Sequence, residues 1–129
     1  MFQNLDVFRL SHAMAVHAGT RQSVVAQNLA NADTPGYKAR DVPAFTTLMD
    51  ADTRVFSAKA TRATHLNMSA GPLQIDISPR AGAQTDPDGN SVSLETEMLH
   101  AVDVKRQHDR AIAIYKSALG VLRTAVSVR

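Results

Sequence analysis

All five prolines of this 129-residue chain, Pro35, Pro43, Pro72, Pro79 and Pro87, fall in its middle. Proline removes a backbone donor and clashes with the carbonyl four residues earlier, so it stops helices. Long helices can therefore run only in the two proline-free ends. The expected organisation is a single domain over residues 1–129, with an N-terminal helix over 4–32, an irregular or extended middle over 33–90, and a C-terminal helix over 91–127.

The first end supports a helix. Val7, Leu10, Met14, Ala18, Val25, Leu29 and Ala32 recur at spacings of three, four and seven, with Arg21 filling the gap in the row. A second row holds Leu5, Phe8, Ala15, Ala26 and Leu29, interrupted by His12 and Gln22. Asn4 suits an N-cap, with Asp6 near the positive end of the helix dipole. In the last end, Leu94, Met98, Ala101, Lys105, His108, Ile112, Tyr115, Leu119, Leu122 and Val126 form a long coiled-coil-like seam, widened by Leu99, Val102 and Ile114. Lys105 and His108 are its weak point. Ser93 followed by Glu95 and Glu97 makes a helix start. A helix of ~35 residues would span ~50 Å.

The middle shows little periodicity. Leu73-Gln74-Ile75-Asp76-Ile77 alternates as a short strand would, between Gly71-Pro72 and Ser78-Pro79. Phe45, Leu48, Met49, Val55, Phe56, Leu66 and Met68 are too few for an independent core, so this zone needs cover from elsewhere. The fold class is mainly α: two long terminal helices packed as an antiparallel coiled-coil-like hairpin, the middle containing at most short β segments. Aromatics are 5% of residues and Trp is absent, so a core must come from Ala, Val, Leu, Ile and Met, which suits helix-on-helix packing. Two helices bury little between them. A seam this long points to packing against copies of the chain or similar helices, which marks an assembly subunit.

Chemistry is sparse. The 14 Lys+Arg face 12 Asp+Glu and are scattered apart from Lys105-Arg106, so no nucleic-acid stripe is present and no nucleic-acid partner is expected. Absence of cysteine excludes disulfides and thiolate chemistry. The five histidines, His12, His17, His65, His100 and His108, lack metal-ligand spacing and read as surface or seam residues. Asp86-Pro-Asp88-Gly-Asn90 with Glu97 imitates a calcium loop, but Ser91 stands where glycine is needed, so it reads as a turn ahead of a helix. No nucleophile is paired with a base. No enzyme activity, cofactor, metal or small-molecule substrate is expected. Asp6, Arg9 and His12 interrupt any secretory apolar region, and no apolar run approaches the ~18 residues of a membrane span. The expectation is a cytoplasmic chain, or one exported without a cleaved leader.

The stretch Asn28-Leu-Ala-Asn31-Ala-Asp33-Thr-Pro-Gly-Tyr37-Lys-Ala-Arg-Asp41 stands apart. Asn31 or Asp33 can take the left-handed conformation that ends a helix. Thr34 precedes proline and is driven out of helical space. Pro35-Gly36 suits the centre of a type II turn. This local account leaves Tyr37 and the charges after it unexplained.

Ala30-Asn31-Ala32-Asp33-Thr34-Pro35-Gly36-Tyr37 resembles the signature that closes the first helix in the flagellar rod and hook family of axial proteins. With Lys38-Ala39-Arg40-Asp41, and with Asp88-Gly-Asn90-Ser-Val92 leading through Glu95 and Glu97 into the last helix, it is most similar to the family's proximal-rod members. The resemblance covers both ends, about two thirds of the chain, and is loose around Thr64-His65-Leu66. It implies a structural subunit of the basal-body rod that passes torque from the membrane ring toward the distal rod and hook. It implies flagellar type III export without leader cleavage, and residence in the periplasmic rod. Implied partners are copies of itself, other rod proteins, the rod adaptor FliE and the membrane-ring or export-gate region. Val7, Leu10, Met14, Val25 and Leu29, with Met98, Ile112, Tyr115, Leu119 and Leu122, would then pack the subunit helices. Asn31, Thr34, Pro35, Gly36, Tyr37, Lys38, Arg40 and Asp41 would form a loop contacting an adjacent subunit. A soluble helical adaptor or chaperone of the same export system is the alternative.

Overall fold

The computed structural model describes residues 2–54 and 75–127, with side chains placed for 6–49 and 75–127. Helix α1 spans Phe2–Ala30 and helix α3 spans Leu94–Ser127. They pack against each other along most of their length. Their direction is antiparallel: Phe8 meets Tyr115 edge-on at 5.2 Å near one end, Arg21 Nη1 approaches Gln107 Oε1 at 3.5 Å midway, and Asn28 meets Glu97 at the other.

The expected hairpin is present, with local differences. Helix α1 begins before Asn4, so Asn4 lies within its first turn and does not cap it. Helix α3 starts at Leu94 after Ser93, whose Oγ accepts from the Thr96 amide at 3.4 Å and whose carbonyl accepts from Glu97 N at 3.0 Å. The middle is not wholly irregular, because Phe45–Arg54 forms a helix, α2. Its first turn is anchored by His17: the ring packs on Phe45 at a centroid separation of 5.5 Å, and Nε2 bonds the Pro43 carbonyl at 2.8 Å.

The strand expected over residues 73–77 is not formed in its described part. A two-residue strand β2, Ser78–Pro79, pairs antiparallel with β1, Arg40–Asp41. The ladder is short because prolines bound it: Pro43 follows β1 closely and Pro79 itself has no amide to donate. Leu73 and Gln74 lie outside the described residues, as do Val55, Phe56, His65, Leu66 and Met68.

The buried apolar residues are small: Ala18, Val24, Val25, Ala39, Val42, Val92, Val104 and Ala111. Seven-residue steps place Ser11, Ala18 and Val25 on α1, and Glu97, Val104 and Ala111 on α3, along the inner faces. The α3 face is thus rotated from the anticipated seam in its first half. Glu97 and Val104 turn inward there, while Met98, Ala101 and Lys105 stay exposed. Close approach of the two helices favours Ala and Val at the contact, and the longer Leu and Met side chains are left outside.

Candidate functional site

The loop after α1 is tied into its own chain. Among the described residues none but glycine adopts positive φ, so neither Asn31 nor Asp33 makes the left-handed cap that was expected. Asn90 takes that task from 56 to 59 residues away: its Nδ2 lies 3.0 Å from the Asn31 carbonyl, 2.6 Å from that of Ala32 and 3.0 Å from that of Thr34. The last helical carbonyls of Gln27, Asn28 and Leu29 accept from the Asn31 and Ala32 amides, and the amide of Asn90 reaches across to the carbonyls of the turn that follows. Its Oδ1 accepts from Val92 N at 2.8 Å, and its own N donates to Asp88 Oδ1 at 3.0 Å. The side chain is 1% exposed.

Pro35-Gly36 forms the anticipated turn. Tyr37 N donates to the Thr34 carbonyl at 3.2 Å, and Gly36 has φ +73°. A second turn closes from Gly89 N to the Asp86 carbonyl at 2.8 Å, with Gly89 at φ +83°. The two turns stand back to back. Gly36 N donates to the Asp88 carbonyl at 3.0 Å, and a Cβ on Gly89 would lie 3.4 Å from Gly36 Cα.

The residues after the turn, which local reasoning left unexplained, continue this docking. The Tyr37 carbonyl accepts from Ser91 N at 3.0 Å, Lys38 Nζ donates to the Gly89 carbonyl at 2.8 Å, and Ala39 N donates to Ser91 Oγ at 2.9 Å. Asn28 then imitates a strand edge for Arg40, accepting from its N at 3.0 Å and donating to its carbonyl at 2.8 Å. The Tyr37 hydroxyl reaches Asn28 Oδ1 at 3.4 Å. The second donor position of the Asn28 amide meets Glu97 Oε2 at 3.1 Å, and Arg80 Nη1 meets Glu97 Oε1 at 2.6 Å. Arg80 Nε lies 3.6 Å from Asp41 Oδ2, an ion pair too long to be a hydrogen bond. Asn28 and Glu97 are both fully buried, so this node joins α1, β1, the Arg80 segment and α3 beneath the surface.

The apolar candidates divide. Val25 is buried, and Met14, Ile112, Leu119 and Leu122 are half-buried. Val7, Leu10, Leu29, Met98 and Tyr115 are exposed, Met98 by 57%. So are Leu99 (69%), Val102, Val121 and Val126. Leu94, Met98 and Val102 follow one another at four-residue steps, with Leu99 three before Val102, as a continuous outer strip of α3. Thr34, Pro35, Gly36, Lys38 and Arg40 are exposed on the outer rim of the loop, while Asn31, Tyr37 and Asp41 are half-buried. Of the histidines, His12 is exposed, His100 and His108 are half-buried, and only His17 is buried. Among the described residues no cluster of His, Cys, Asp or Glu could hold a metal ion, and no helix is long and apolar enough to cross a membrane.

Sequence reasoning missed Asn28, Arg80, Asn90 and Glu97 as a linked set. The available signal was a polar residue on each inner line, Asn28 following Val25 and Glu97 preceding Val104.

Residues 17–38, which run from the buried His17 through the Pro-Gly turn, match the family profile described as "Flagella basal body rod protein". Across the whole chain, similarity extends to the flagellar basal body rod protein FlgB of Agrobacterium fabrum, 34% identical over 120 residues, which cover 89% of this chain and 88% of that one. The chain belongs to the flagellar basal-body rod protein family. FlgB of Escherichia coli is 34% identical over 101 residues, 72% of each chain. FlgB of Bacillus subtilis is 26% identical over 110 residues, 85% of this chain and 84% of that one. As a member of the rod family, the chain is a structural protein of the flagellar basal body. The matched segment contains Asn28 and the three carbonyls that Asn90 holds, so the family signature in this chain overlaps its main polar docking site.

Proposed function

We propose that this chain works as a proximal-rod subunit whose helix pair is completed by neighbouring subunits. The observation that carries the proposal is the inversion of ordinary burial: the inner faces use Ala and Val, and Leu10, Leu29, Leu94, Met98, Leu99, Val102 and Ile114 lie outside. Contiguous exposed apolar strips mark interaction surfaces. In a tubular array those strips would face copies of this chain and other rod proteins, with FliE and the membrane-ring or export-gate region as further partners at the inner end. Subunits joined by such buried helical faces would transmit torque as a stiff shaft. Family membership and the absence of any nucleophile–base pair in the sequence support a purely structural role without catalysis. The same membership supports delivery by flagellar type III export to a periplasmic position.

The exposed loop rim of Pro35, Lys38 and Arg40 is a secondary contact in this proposal. It is secondary because the polar backbone of the loop is already engaged within the chain.

Leu99→Asp is the direct test. Leu99 is 69% exposed, so the isolated variant should keep its helicity and unfolding midpoint. The variant should still be exported, be absent from purified basal bodies, and leave cells non-motile. Normal incorporation and motility would remove the strip from the interface.

A further inference from the structure

The inner faces of α1 and α3 repeat at seven-residue steps: Ser11, Ala18 and Val25 on one, Val104 and Ala111 on the other, with half-buried Ala118 next in line. All are small. Sliding α3 by one heptad, about 10 Å, would set Val104 where Glu97 stands and Ala111 where Val104 stands. Small apolar side chains would again meet small apolar side chains. The small-residue line alone therefore distinguishes poorly between two registers, and the Phe8–Tyr115 and Arg21–Gln107 contacts, neither of them buried, add only a weak preference. The polar ties distinguish strongly. The slide would remove Glu97 from Asn28 and Arg80, and Asn90 from the carbonyls of Asn31, Ala32 and Thr34. A buried polar residue in a helical seam sets register in this way, at some expense of stability.

We propose that the register of the helix pair is set by two polar ties at its loop end, Asn90 on the end of α1 and Glu97 between Asn28 and Arg80, and not by the apolar seam. These are positioning residues. By fixing the level of α1 against α3 they fix where Leu10 and Leu29 lie relative to Leu94, Met98 and Leu99, and so the shape of the face offered to a neighbour. The inference concerns the lone chain and stands or falls independently of the assembly role.

The chain has no cysteine, so spin labels can be placed at will on the full-length protein. Gln22→Cys and Lys116→Cys sit on exposed positions of α1 and α3, whose levels along the pair differ by about 20 Å at 1.5 Å per residue. The parent has both ties, Asn90→Ala and Arg80→Met/Glu97→Met each keep one, and a single distance is expected in all three. Combining all three substitutions should add a second population displaced axially by about 10 Å, with helicity by circular dichroism kept. Conservative Glu97→Gln, combined with Asn90→Ala, should restore the single distance because an amide still bonds Asn28. A single parent-like distance in the triple variant would overturn the proposal and give register to the seam. Loss of helicity there would also overturn it, since the ties would then serve helix formation.

Discussion

Asn28 and Glu97 lie 69 residues apart in the chain, yet Asn28 Nδ2 donates to Glu97 Oε2 at 3.1 Å where neither residue has any exposed surface. A charge is tolerated at such a place only when its partners are complete. Arg80 completes the set at 2.6 Å.

Glu97→Ala leaves the Arg80 guanidinium, itself 17% exposed, without its main partner and the Asn28 amide one acceptor short. Breaking a buried pair from one side costs about 3 kcal/mol or more. Urea unfolding should register that loss in full for Glu97→Ala and a smaller one for Glu97→Gln, whose single amide oxygen still accepts from one of the two donors, Asn28 Nδ2 or Arg80 Nη1, while its NH2 faces the other.

Asn90→Ala withdraws the donor shared by three carbonyls of the turn that follows α1. Those carbonyls belong to half-buried or exposed residues, so water can partly replace the amide. A loss of about 2 kcal/mol is expected. Thermal unfolding checks it, and hydrogen exchange should show Asn31, Ala32 and Thr34 N–H groups opening first. Asn90→Asp should be worse than alanine, because a carboxylate turned toward three carbonyls repels them.

The glycines are expected to respond with opposite signs. Gly89 has φ +83° and its missing Cβ would rest 3.4 Å from Gly36 Cα, so Gly89→Ala should cost about 1–2 kcal/mol. Gly19 lies inside α1 with open space around it, so Gly19→Ala should stabilise the lone chain by about 0.5–1 kcal/mol. A calorimetric melt of each variant separates the two.

At the start of α3, the Glu95 carboxyl is held below its ordinary value of 4.5 by its own backbone N–H and then by the Ser93 hydroxyl, which donates to it at 3.0 Å. Asp109 is likewise held below 3.8, chiefly by its bond from Lys105 Nζ at 2.8 Å. Both carboxylates bind protons more weakly folded than unfolded. Their contribution is complete above the unfolded values and is lost as pH falls through the lower folded ones. Both groups are fully exposed, so the effect is small. In Ser93→Ala, which also loses the N-cap at about 1 kcal/mol, the Glu95 titration followed by NMR should move upward while that of Asp109 stays in place.

Much of the architecture was legible in residue order. Proline cannot continue a helix, so five prolines in the middle left the two ends as the helices, and α1 and α3 occupy those ends. Thr34-Pro35-Gly36-Tyr37 encodes its turn through two local rules, and the turn forms. Ser93 caps α3 for the same kind of local reason. Other features were not legible. An apolar period names a helix but does not say which of two adjacent stripes meets its partner, so Leu94 and Met98 read as seam although Glu97 and Val104 turn inward there. His17 read as a surface or seam residue because its partner, the Pro43 carbonyl, belongs to a segment 26 residues away.

Sequence alone therefore determined the elements, their order, the turn chemistry and the family signature, because each depends on neighbours within a few positions. Tertiary structure alone decided what that signature does in the chain. Asn90 replaces the missing left-handed cap of α1, Asn28 holds Arg40 like a strand edge, and Glu97 enters the core to meet Arg80. These bonds close loops of many residues between groups whose partners no local rule specifies, and they exist only once the two helices lie side by side.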